Sequence, residues 1–123
     1  MPRDNDWVRT ILIADDETAI RIIIRSVLAL DGFSVVEASD GAEAFALFKE
    51  NRFGLVITDF EMPNMRGDEL VSEIRRLVPN QPIVMISANV HKMGPAISTI
   101  NGWIEKPFLI YDLRSLVCRA LAG

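Results

Sequence analysis

Leu55-Val56-Ile57-Thr58-Asp59-Phe60-Glu61-Met62-Pro63 joins a short apolar run to a carboxylate and then to a turn. The run reads as a buried strand, so Asp59 stands where desolvation ends and charge must reach solvent. In an open α/β sheet, the loops leaving the carboxyl ends of the strands form the ligand crevice. Asp59 is therefore either a turn cap or a reactive group on the rim of a site.

Outward from this run, the chain alternates short β-type segments with helical ones. Before it lie a strand at Thr10–Ala14, a helix from Glu17 to Leu30, a strand at Ser34–Ala38 and a helix running to about Asn51. The strand carrying the run is expected over Gly54–Thr58. The first helix shows Ile20, Ile23, Ile24, Val27 and Leu28 at one-face spacing, and Gly32 sits where a left-handed cap is common. Asp40 followed by Glu43 resembles a capping box for the second helix, which is expected to bury Ala42, Phe45, Ala46 and Phe48. After Gly67, Leu70, Val71, Ile74 and Leu77 define a helix that stops at Pro79. Pro82–Ser87 reads as the fourth strand, and a fifth lies near Ile104. A last helix from about Leu109 to Ala122 carries Leu113, Leu116, Val117 and Leu121.

Five strands alternating with helices imply βαβ units, a parallel sheet and right-handed crossovers. The strands barely alternate, as expected when both faces are buried. The expected fold class is α/β, a flavodoxin-like three-layer sandwich. Its five-stranded parallel sheet has order 2-1-3-4-5 with helices on both faces. Residues 8–122 form the domain, behind a polar tail at 1–7.

Composition narrows the function. The 123 residues are 50% hydrophobic and 24% charged, with a net charge of −4. No Lys/Arg cluster suited to a phosphate backbone is present, so direct nucleic-acid binding is not expected. No apolar run approaches the roughly 20 residues that span a bilayer, and the polar start lacks the apolar stretch of a signal peptide. A cytoplasmic location is expected. The single cysteine, Cys118, fits a reducing compartment and reads as a small buried hydrophobe.

In this topology the ends of strands 1, 3, 4 and 5 meet at one edge. They carry Asp15-Asp16-Glu17, Asp59, Ser87 and Lys106. Singly, each has a bland reading: a helix cap with acidic first-turn residues, a turn cap, a strand-end hydroxyl and a solvated lysine. Together they make a chemistry. The aspartates repel one another unless a cation sits among them, and hard oxygen donors suit Mg²⁺. Asp59 can then act as a nucleophile toward phosphorus. Lys106 and the Ser87 hydroxyl can each meet a phosphoryl oxygen.

The set Asp15-Asp16, Thr58-Asp59-x-x-Met62-Pro63-x-x-x-Gly67, Ser87-Ala88 and Lys106-Pro107 resembles the receiver domain of bacterial two-component response regulators, over about residues 8–122. The resemblance implies that Asp59 accepts a phosphoryl group from the phosphohistidine of a sensor histidine kinase, or exchanges it with a histidine phosphotransfer protein. Small donors such as acetyl phosphate also serve. It implies Mg²⁺ held by the side chains of Asp16 and Asp59 and the backbone carbonyl of Glu61, with Asp15 acting through water. Ser87 is then the switch hydroxyl and Lys106 the phosphate contact, before a cis Lys106-Pro107 bond. Trp103 occupies the switch-aromatic position, where Tyr or Phe is usual. Glu61 and Asn89 flank the path of an attacking water and are expected to set the lifetime of the phosphorylated state.

The segment between Ser87 and Lys106 is about three residues shorter than in many receivers, and Gly94-Pro95 interrupts it. The fourth helix is therefore expected to be short, displaced or mobile, which puts the family's usual homodimer in doubt and leaves monomer or weak dimer. His91 reads as an exposed loop residue. The product is a phosphorylation-controlled signalling module acting on a downstream protein target, with no separate substrate. Two alternatives stand: a receiver excised from a hybrid histidine kinase or longer regulator, and a Mg²⁺-dependent phosphatase with an aspartate nucleophile.

Overall fold

The computed structural model describes residues 6–123. Five strands form one parallel sheet in the order β2-β1-β3-β4-β5. They are β1 (Thr10–Ala14), β2 (Ser34–Ala38), β3 (Leu55–Asp59), β4 (Ile83–Ser87) and β5 (Gly102–Glu105). The helices are α1 (Thr18–Leu30), α2 (Gly41–Glu50), α3 (Gly67–Leu77) and α4 (Ile110–Ala122). The flavodoxin-like class and strand order agree with the sequence expectation.

Two cores explain why three central strands read as unbroken apolar runs. On one face, Leu12, Val56 and Met85 pack with Phe48, Leu70 and Ile74. On the other, Ile11, Ile13, Ile57 and Val84 pack with Ile24, Leu28 and Leu113. All of β3 and β4 is buried. β3 ends one residue later than the run suggests, because Asp59 still pairs with Ile86 of β4. The reactive carboxylate is therefore held by the sheet itself.

The caps follow the sequence with one change. Gly32 has φ +88° after α1, and the Phe33 N–H donates to the Leu28 carbonyl at 3.0 Å. The Asp40 side chain accepts from the Glu43 N–H at 2.7 Å, capping α2. Glu43 returns its carboxylate to the Ser39 N–H at 2.6 Å rather than to Asp40.

Several packing expectations are corrected. Cys118 is exposed, next in sequence to Val117 of the buried stripe Leu113, Leu116, Val117 and Ala120. Leu121 lies at the edge of that stripe and is also exposed. In α2 the buried stripe is Gly41, Ala44 and Phe48; Ala42 and Ala46 face solvent. Ile23 and Leu77 are exposed as well.

Between β4 and β5 no full α-helix forms. Val90–Thr99 is two short 3₁₀ pieces broken at Gly94, whose φ/ψ of 51°/−131° lie outside any helix. Pro95 opens the second piece, and its fixed φ suits a first turn. Met93 is buried, and the Arg75 guanidinium donates to the Thr99 carbonyl at 2.8 and 3.1 Å. The segment is thus tied down at its end and kinked in its middle. Its two short pieces, with no full α-helix, match the expected short fourth helix.

The expected tail at 1–7 is described only from Asp6. There Asp6–Arg9 forms a 3₁₀ turn, and the Arg52 guanidinium lies 4.2 Å from the Trp7 ring centroid.

Candidate functional site

The carboxyl ends of β1, β3, β4 and β5 converge on an acidic crevice beside the point where strand order reverses. Asp15, at the exit of β1, is buried. Its Oδ1 accepts from the Glu17 N–H at 2.8 Å, and the Arg21 guanidinium donates to its backbone carbonyl at 2.7 Å. Arg21 also pairs with Glu37 at 3.1 Å, tying the loop after β1 to β2. That clamp fixes the direction in which the acidic run leaves the sheet.

Asp59 is 6% exposed. The Thr58 hydroxyl donates to its carbonyl at 2.8 Å, and the Phe60 N–H donates to the Ile86 carbonyl at 2.9 Å. The loop through Glu61 returns at Gly67, whose N–H donates to the Phe60 carbonyl at 2.8 Å. The Asp40 side chain accepts from Asn64 at 2.7 Å, pinning the same loop to the start of α2. Asn64 takes a left-handed φ of 68° there, a conformation asparagine tolerates.

Lys106 closes the site from β5. The Lys106 N–H donates to the Ser87 carbonyl at 2.8 Å, and the Lys106–Pro107 bond is cis. Its ammonium lies 2.8 Å from Glu17 Oε1, 3.0 Å from Asp15 Oδ2 and 3.4 Å from Asp59 Oδ2. Asp15 Oδ2 has the ion contact without an aligned hydrogen bond, so this buried oxygen is left without a hydrogen-bond partner among the described residues. Ser87 is fully buried, and its hydroxyl oxygen accepts from the Asn89 N–H at 3.0 Å. Trp103, on the edge strand, is 44% exposed.

The electrostatics follow from burial. Desolvation, with the neighbouring Asp15 charge, pushes the Asp59 carboxyl up to about 6 against the pull of Lys106. Burial also raises Asp15, despite the Glu17 N–H and Lys106. For Lys106, burial works against the charge, but the bond to Glu17 and the charges of Asp15 and Asp59 outweigh it and raise its pKa.

Ligand oxygens of Asp15, Asp16, Glu17 and Asp59 lie within 4.8 Å of one another. An all-oxygen set of this kind suits a hard divalent cation such as Mg²⁺. Four carboxylates crowd around a single ammonium, and the buried Asp15 Oδ2 has no hydrogen bond, so the anionic cluster has donor capacity left for a further positive charge. The residues therefore fit a cation. Beside them opens a cleft of about 780 Å³ bordered by Asp16, Glu61, Met62, Arg66 and Lys92. Lys92 reaches across it to Glu61 at 3.6 Å.

Asp15, Asp16, Asp59 and Lys106 thus meet, as their strand ends require. Ser87 is adjacent but turned toward Asn89, and Trp103 stands apart. Sequence reasoning missed two participants. Glu17 was legible only as the third acid of its run, and its reach to Lys106 spans 89 positions. Arg21 gave no signal beyond its place in an amphipathic helix.

A flavodoxin-like sheet with an acidic, lysine-bearing crevice at its strand ends defines a CheY-like receiver. The chain belongs to the response regulator receiver domain family, whose sequence profile matches residues 11–117. Chemotaxis protein CheY-3 of Vibrio cholerae is 36% identical over 110 residues, covering 85% of this chain and 85% of that protein. The DNA-binding transcriptional regulator NtrC of Bradyrhizobium sp. is 32% identical over 92% of this chain, which spans only 24% of that protein. Among solved structures, response regulator TrrA of Thermotoga maritima, in complex with Mg²⁺-BeF, superposes with a TM-score of 0.86 at 30% identity, covering 92% of this chain and 99% of that one. Vibrio cholerae CheY4 superposes at 0.85 with 31% identity, covering 91% of this chain and 98% of that one. The domain is a receiver module of two-component signalling. No helix among the described residues is long and apolar enough to cross a membrane.

Proposed function

We propose that Asp59 is the phosphoacceptor of a Mg²⁺-dependent transfer from a sensor histidine kinase or histidine phosphotransfer protein. The supporting observation is the position of Asp59: buried at the end of β3, among carboxylate oxygens within 4.8 Å and 3.4 Å from an ammonium. An Asp59 oxygen attacks phosphorus, the P–N bond of the phosphohistidine breaks, and the imidazole leaves with the electron pair. With acetyl phosphate the P–O bond breaks and acetate leaves.

The side chains of Asp16 and Asp59 and the Glu61 backbone carbonyl would hold Mg²⁺, with Asp15 acting through water. When bound, the ion neutralises charge on the transferred group. Lys106 meets a phosphoryl oxygen as a point charge. The Ser87 hydroxyl must give up the Asn89 N–H to donate to another. Trp103, part-exposed in β5, would turn inward when Ser87 moves, altering the surface that a downstream protein target reads. TrrA in complex with Mg²⁺-BeF is a related chain of the same fold, and that pairing supports the ligand classes. In this reading the domain assists its own phosphorylation and hydrolysis and works in the cytoplasm, beside its kinase.

Incubation with Mg²⁺ and acetyl phosphate is expected to add one phosphoryl group by intact mass. Chelation or Asp59→Ala should abolish it. Addition that survives chelation, or steady turnover of a generic phosphate ester, would contradict the receiver mechanism.

A further inference from the structure

Lys106 is engaged by a residue that the proposed chemistry leaves idle. Its ammonium donates a hydrogen bond to Glu17 Oε1 at 2.8 Å, while Asp59 Oδ2 lies at 3.4 Å. The two partners differ in setting. The Glu17 side chain is 58% exposed, at the mouth of the crevice, and that of Lys106 is 12% exposed. The bond joins the loop after β1 to the end of β5 and draws the ammonium toward the mouth, while Asp15 Oδ2 at 3.0 Å and Asp59 Oδ2 at 3.4 Å hold it from the buried side. Of the three carboxylates, Glu17 is the nearest and the only exposed one.

The ammonium has three N–H donors, so Glu17 does not exhaust it. A phosphoryl group on Asp59 would instead draw the ammonium inward from its 3.4 Å contact, and the bond to Glu17 resists that shift. From these contacts we infer that Glu17 is a positioning residue that holds Lys106 toward the mouth of the crevice and so restrains phosphoryl uptake. The inference rests on Asp59 being the phosphoacceptor. The restraint is modest, because a partly exposed ion pair is worth about 1 kcal/mol or less. It is also local, since Glu17 sits at the start of α1 with most of its side chain in solvent.

The test uses the full chain with Glu17→Gln and Glu17→Asp. Glutamine removes the charge. Aspartate keeps the charge but is too short to hold the ammonium in the same place. Mg²⁺ saturation is set for each variant by titrating tryptophan fluorescence, and adduct formation from acetyl phosphate is then timed by intact mass. Both variants are expected to accelerate uptake about two- to fivefold at saturating Mg²⁺, the rate equivalent of a partly exposed ion pair. The inference is overturned if either variant fails to accelerate. Acceleration by Gln alone would make the effect one of charge near an anionic donor. Equal saturated rates with a shifted Mg²⁺ requirement would make Glu17 a metal ligand. Adduct in the wild type with unchanged variants removes only the role of Glu17, whereas no adduct in the wild type removes the phosphoacceptor reading itself.

Discussion

Asp59→Asn is expected to raise the stability of the metal-free protein at pH 7 by about 2 kcal/mol, while ending phosphoryl uptake. The cause is the cost of an uncompensated buried charge. Asp59 is 6% exposed, and its carboxyl is pushed from 3.8 to about 6 by desolvation first and by Asp15 second. A carboxyl whose folded-state pKa is raised binds its proton more tightly in the folded chain. Stability is therefore fullest below the unfolded pKa and falls as pH rises through the folded one. The window here runs from about pH 4 to pH 6. Asparagine keeps the shape and removes the penalty, and Lys106 retains Asp15 and Glu17 as counter-charges. In chelator, the melting temperature of the variant should exceed that of the wild type by several degrees at pH 7, and the gap should shrink toward pH 4. Added Mg²⁺ should stabilise the wild type and close much of the gap, because a ligand that binds only the folded state raises its stability. A variant less stable than the wild type in chelator at pH 7 would contradict the account of Asp59 as a strained, cation-seeking carboxylate.

Gly67→Ala is expected to cost about 3 kcal/mol, the upper end of overpacking penalties, and to slow phosphoryl uptake at the same time. A Cβ at Gly67 would run into the Asp59 carbonyl oxygen and lie 2.9 Å from Phe60 Cα. Both neighbours are backbone atoms of the buried β3 end, so neither can swing aside. The strand end would have to shift, or the Gly67–Phe60 hydrogen bond that closes the loop would have to open. Either change moves Asp59 relative to Lys106, and transfer depends on position. Urea unfolding measures the first effect and the mass assay the second. Stability within about 0.5 kcal/mol of the wild type would show that the loop accommodates a side chain.

The three central strands were legible because burial on both faces leaves an unmistakable apolar run, and parallel connection leaves few topologies. The site was legible for the same reason: Asp15, Asp59 and Ser87 each stand where such a run ends, while Lys106 follows the short, part-exposed edge strand β5. Helix faces were less readable. Ile22, Ile23 and Ile24 sweep round α1, and only Ile24 is buried. In α2 the alternating Ala42, Ala44 and Ala46 carry almost no directional signal, so packing of Phe48 and Gly41 chose the face. Cys118 adjoins Val117, but one residue turns a helix by about 100°, enough to move it into solvent. Gly94-Pro95 correctly signalled a broken fourth helix, whereas the anchor at Arg75 depends on contacts 24 positions away. Glu17 escaped for a similar reason. Its local role at a helix start concealed a partner on the last strand.

The central claim concerns one covalent bond at one side chain. Borohydride reduces an acyl phosphate to an alcohol, so a phosphorylated aspartate is trapped as homoserine. The chain treated with Mg²⁺ and acetyl phosphate, then reduced and mapped by peptide mass spectrometry, should carry homoserine at position 59 and nowhere else. The untreated chain should carry none. Homoserine at Asp15 or Asp16, or its absence from position 59 in a chain whose intact mass shows a phosphoryl adduct, would contradict the assignment of Asp59 as phosphoacceptor.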